Sequence, residues 1–118
     1  MLKWEVRSTF STNSEEAVLM RQPNTTAAGE PFERITIEKV WVKAKQELWF
    51  TYYKRDLCGA LIRKDDYGSE TQYGWEIDHI LPVSQGGTDE IENLQPLHWE
   101  NNRSKGDNHV EWSPKKTI

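Results

Sequence analysis

Residues 74–107 read GWEIDHILPVSQGGTDEIENLQPLHWENNRSKGD, the best punctuated stretch of the chain. Gly74 opens a strand expected over Trp75–Leu81, which Pro82 ends because proline cannot donate into a ladder. Gly86-Gly87 calls for a tight loop open to positive φ. Thr88 or Asp89 is placed to cap a short helical turn through Ile91, and Asn93–Leu97 reads as a second strand. A helix is expected over His98–Ser104, with Gly106 as its stop. Strand, long loop, strand and helix in so few residues make too small a core to stand alone, so packing must come from outside the stretch.

Upstream, Ile37, Val40, Trp41 and Ala44 recur at helical spacing, with Thr36 placed to cap the start. Leu48–Tyr53 is aromatic and apolar, and is expected to be buried or to cover something. Ala60–Arg63 is a short strand candidate ending at Asp65, Asp66 and Gly68. Residues 2–10 alternate Leu2, Trp4 and Val6 with Lys3, Glu5 and Arg7, the pattern of an exposed strand. Residues 11–31 are rich in Ser, Thr, Asn, Gly and Pro and read as a flexible arm. The expected organisation is therefore a strand and arm over 1–33 followed by one domain over 34–118.

The 118 residues allow one domain and no second full-sized core. Hydrophobic residues at 36%, charged residues at 29% and a mean hydropathy of -0.84 describe a water-facing chain with a thin core. No apolar run approaches the ~20 residues that a membrane span needs. The opening MLKWEVRSTF lacks the apolar stretch of a secretory signal, and Cys58 is the only cysteine. An intrachain disulfide and a multi-cysteine zinc site are excluded, and a reducing cytoplasm is the expected setting.

The net charge of -4 is unevenly spread. Residues 41–64 sum to +4, residues 65–100 hold nine carboxylates and no Lys or Arg, and residues 101–118 return to +2. Such a layout suits a cation site flanked by phosphate-binding arms; it equally suits a solvated acidic face, or a surface that docks a basic partner protein. Within the acidic stretch, Asp78-His79 sets a carboxylate beside an imidazole, offering a metal ligand and a base that titrates near neutrality when unperturbed. Strand alternation points the two to opposite faces, so they would divide the roles.

The order Gly74-Trp-Glu-Ile-Asp-His-Ile80, then Gly86-Gly87, Asn93-Leu-Gln-Pro-Leu97, Asn101-Asn102 and Lys105-Gly-Asp107 resembles the HNH endonuclease family. The resemblance covers residues 74–107 and extends faintly through Tyr67-Gly68 and Asp56-Leu-Cys-Gly59. It implies an α+β fold built on a ββα-metal core and a metal-dependent DNA endonuclease that leaves 5′-phosphate and 3′-hydroxyl ends. His79 matches the general base, Asp78 and Asn102 the metal ligands, and Asn93 the residue that braces the loop and orients the histidine. Many relatives have histidine where this chain has Asn102; the remaining oxygen-only pair suits Mg²⁺ or Mn²⁺, one catalytic ion, better than zinc.

Many relatives also hold a structural zinc between two cysteine pairs. By spacing these would fall at Arg55, Cys58, His98 and Asn101, so no structural zinc is expected. Arg103 and Lys105 rank first for phosphate contact, ahead of Lys43, Lys45, Lys54, Arg55, Lys115 and Lys116. His98, one helical turn before Asn102, is a further candidate for DNA or metal. The expected partner is double-stranded DNA, not a membrane, with a homodimer or a larger phage-type nuclease assembly left open. The competing reading keeps the fold without turnover, as a nucleic-acid-binding module or a subunit that a partner targets.

Overall fold

The computed structural model describes residues 21–47 and 49–118. The strand expected over residues 2–10 lies outside them. In chain order they form α1 (Arg34–Trp41), β1 (Lys45–Gln46), β2 (Tyr53–Arg55), β3 (Leu61–Arg63), β4 (Trp75–His79), β5 (Leu94–His98) and α2 (Trp99–Lys105). Single 3₁₀ turns fall at Lys64–Asp66, Val83–Gln85 and Ile91–Asn93. β1, β2 and β3 make an antiparallel sheet in that order, and β4 pairs with β5 from Trp75↔His98 to His79↔Leu94. The result is a small α+β domain whose ββα core is β4, β5 and α2.

α1 begins at Arg34, two residues before the expected cap, and Thr36 lies inside it; Glu33 is the N-cap without a side-chain bond. Its Val40 and Trp41 pack with Ile62, Trp75, Ile77 and Leu94, so helix, small sheet and hairpin share one core. Each such side chain, fully buried, contributes about 1.5–3 kcal/mol. The packing that the hairpin lacks thus comes from α1 and β3, while the aromatic stretch before β2 goes elsewhere. Trp49, Phe50 and Tyr52 are exposed, Trp49 at 84%, so of the two expectations for this run, burial or covering something, burial does not hold for them. The core is already filled by Trp41, Trp75 and Ile62, and Tyr53 alone of that run joins a strand, half-buried against the Tyr73 ring.

β4 stops at His79, two residues early, because the chain turns to close a loop back onto β5. Gly86 takes φ 97°, and a Cβ on Gly87 would lie 1.7 Å from the Leu81 carbonyl oxygen, a backbone contact that cannot relax. Residues 21–31 are not a free arm. Arg21 ties its guanidinium to the Thr25, Thr26 and Ala27 carbonyls, and Asn24, at φ 61°, accepts from the Ile77 amide and the Tyr67 hydroxyl at 2.8 Å each. The segment is a strap docked on the edge of β4.

Around Asp56, Cys58, His98 and Asn101 the chain carries a buried polar network. Asp56, 3% exposed, accepts from the Cys58 and Ala60 amides at 2.9 Å through one oxygen. Its other oxygen accepts from the His98 amide and the Asn101 side chain at 3.0 Å. Asn101 in turn accepts from the Lys115 and Lys116 amides and donates to the Lys116 carbonyl, tying down the C-terminal segment.

Candidate active site

Alternation along β4 sends Trp75, Ile77 and His79 to one face and Glu76 and Asp78 to the other, and α2 lies over the second. Asp78, 6% exposed, accepts from Lys105 Nζ at 3.2 Å through Oδ1 and from Gln95 Nε2 at 2.9 Å through Oδ2. Burial pushes its pKa above the ordinary carboxylate value, against the opposing pull of the Gln95 bond and the Lys105 charge. Asn102, 8% exposed, donates to Glu76 Oε1 at 2.7 Å. No donor among the described residues reaches Asn102 Oδ1. Asp78, His79, Asn102 and Arg103 line one cleft of about 240 Å³, and strap residues 21–25 form part of its wall.

His79 is 8% exposed, near the Phe32 ring, with its Nε2 2.8 Å from Asp89 Oδ1. An ionised Asp89 only accepts, so the neutral imidazole carries its proton on Nε2 and keeps the lone pair on Nδ1. Asp89 also accepts from the Ala27 amide of the strap. Asn93 stands outside the cleft: its side chain accepts from the Leu81 amide at 2.8 Å and donates to the Leu81 and Thr88 carbonyls at 3.1 and 2.9 Å. Its backbone carbonyl accepts from the Ile80 amide at 2.8 Å. These bonds close both ends of the loop that carries Asp89.

His98 and Lys105 are each 1% exposed, which takes them off the surface that a phosphate can reach. His98 Nδ1 accepts from the Glu100 amide as the N-cap of α2, and its Nε2 meets the Gln72 carbonyl at 2.7 Å. Lys105 is drawn inward because Asp78 and the His79 carbonyl, at 3.2 and 2.9 Å, solvate its ammonium. Arg103 keeps 39% of its side chain exposed, paired with Glu76 at 2.7 Å and Glu70 at 3.0 Å. Lys43 is spent on the Ile91 and Leu94 carbonyls, and Arg55 on Glu47. Cys58 is half-buried, and burial with the nearby Asp56 charge pushes its thiol to about 11, away from nucleophilic use.

Glu76, Asp89 and Asp56 are the functional-looking carboxylates that the sequence reading passed over. Glu76 shares strand parity with Asp78, which is the available signal; in the sequence Asp89 stands out only as a cap candidate and Asp56 only as the start of Asp56-Leu-Cys-Gly59.

Among the described residues no group of three or more His, Cys, Asp and Glu side chains is placed to hold a metal ion. The oxygen donors lining the cleft include the Asp78 and Asp107 carboxylates and the buried Asn102 amide oxygen, a hard set that fits a cation keeping several of its waters. The hairpin and the helix that follows it form a ββα module. The HNH endonuclease family model matches residues 57–108, and this part of the chain is an HNH endonuclease family domain. No curated protein and no solved structure matches the chain. No helix among the described residues is long and apolar enough to cross a membrane.

Proposed function

We propose that the domain hydrolyses DNA phosphodiester bonds with His79 as general base and one Mg²⁺ or Mn²⁺ held by Asp78 and Asn102. The observation that carries this reading is the convergence of Asp78, His79 and Asn102 on one cleft. When bound, the cation would neutralise charge on the scissile phosphate and favour departure of the 3′-oxygen. His79 takes a proton from the attacking water at Nδ1, and the Asp89 carboxylate steadies the imidazolium that forms. Asn93 keeps the loop carrying Asp89 closed on β4. Arg103, at the cleft and half-exposed, is the side chain best placed to meet a neighbouring phosphate. The products are 5′-phosphate and 3′-hydroxyl ends.

A second reading, a nucleic-acid-binding module that does not turn over or that waits for a targeting partner, has its own support. Lys105 already neutralises Asp78 from 3.2 Å, and His79 Nε2 is already paired. Plasmid nicking with Mg²⁺, Mn²⁺ or EDTA, for the parent chain beside His79→Ala, separates the two. Hydrolysis by this site requires cleavage that needs metal and falls at least about a hundredfold in the variant. Cleavage that survives His79→Ala rejects the mechanism, and salt-sensitive DNA binding without cleavage favours the second reading.

A further inference from the structure

We infer that Glu76 is a positioning residue that sets which way the Asn102 amide points. The inference rests on Asn102 being a cation ligand, and adds to that reading a residue whose own chemistry is not ligation. Glu76 is 3% exposed, a degree of burial that disfavours a carboxylate unless both oxygens are engaged. They are: Oε1 accepts from Asn102 Nδ2 and Oε2 from Arg103, each at 2.7 Å. A carboxylate has no proton to give, so only the nitrogen end of the amide can face it. The oxygen end is thereby turned away from Glu76, and it is the only atom of the asparagine side chain that binds a hard cation. Arg103, itself paired with Glu70, balances the Glu76 charge. The chain Glu70, Arg103, Glu76, Asn102 fixes one amide rotamer.

A plain staple between β4 and α2 would need only a hydrogen bond of either polarity. Orientation of the amide needs this polarity, and that difference is measurable. The probe is Mn²⁺ alone, with its dissociation constant read from the electron paramagnetic resonance of the free ion, on the full chain. Glu76→Gln offers a donor as well as an acceptor and should weaken Mn²⁺ binding about tenfold, the lower end of the effect of an outer-shell partner. In an Asn102→Asp background the same Glu76→Gln change should tighten binding instead, because a carboxylate there is repelled by Glu76 and welcomes a donor. A reversal of sign between the backgrounds supports the inference. Equal effects in both backgrounds, or none, overturn it, leaving Glu76 as a staple or a direct ligand.

Circular dichroism checks that each variant is folded. If Glu76→Gln is not, Glu76→Asp carries the same comparison, since it draws the carboxylate back from the amide by one methylene. Absence of Mn²⁺ binding by the parent chain, or unchanged binding in Asp78→Asn, would overturn the metal site itself and the inference with it. That failure is distinct from a missing reversal.

Discussion

Asp89 sits in the loop that Asn93 closes and joins it to the imidazole of His79, ten residues back, and to the Ala27 amide of the strap, sixty-two residues back. Its pairing chooses the His79 tautomer, and a base with the wrong nitrogen protonated cannot take a proton from water. Asp89→Asn can still accept from Nε2 but no longer steadies a charged ring. The nicking rate should fall about tenfold, and Asp89→Ala, which also frees the tautomer, should fall further toward the full contribution of the base. DNA affinity should change little, because Asp89 adds no positive charge. Rates equal to the parent in both variants would make the pairing incidental.

At the scale of elements, the hairpin and its helix were legible to within two residues at each boundary. Their signals are local: Gly74, Pro82, the Gly86-Gly87 pair and Gly106 act on their own backbone. The α1 face was legible for the same reason. The aromatic run before β2 is open in sequence to burial or to covering something, because apolarity shows that a segment could be buried without showing whether the core has room. Asp56 was missed because its partners lie 42 and 45 residues away, at His98 and Asn101. That carboxylate joins the turn at 56–60 to the start of α2.

Asp56→Asn turns one accepting oxygen into an NH₂ group facing donors. Buried donors left without acceptors cost on the order of 3 kcal/mol for a site of this kind, enough to lower Tm by about 10 °C or more. Asp56→Ala should cost at least as much. A thermal melt of Asp56→Asn that coincides with the parent would show that the network carries no net stability.

For the whole molecule, the strap on β4 is a seam between segments about fifty residues apart, and its centre is the Tyr67 hydroxyl bonded to Asn24. Burial pushes the Tyr67 pKa up to about 12, and the Glu76 charge adds to the rise. An unfolded tyrosine titrates near 10, so between about pH 10 and 12 the folded chain holds this proton more tightly than the unfolded chain does. The Tyr67 contribution is therefore intact below pH 10 and is lost as the pH climbs through 12. Urea melts from pH 9 to 11.5 should show stability falling on this limb. Tyr67→Phe should flatten the part of the slope that belongs to this group, while lowering stability at pH 8 through the lost bond to Asn24. Asn24 gives an independent handle, because its φ of 61° is a conformation that asparagine and glycine accept and alanine resists. Asn24→Gly should lose only the bonds to Ile77 and Tyr67, and Asn24→Ala should add about 1 kcal/mol of backbone strain to the same loss. The expected order at pH 8 is parent, then Asn24→Gly, then Asn24→Ala. An alkaline slope unchanged by Tyr67→Phe, or the two Asn24 variants in reverse order, would mean that the strap is held elsewhere.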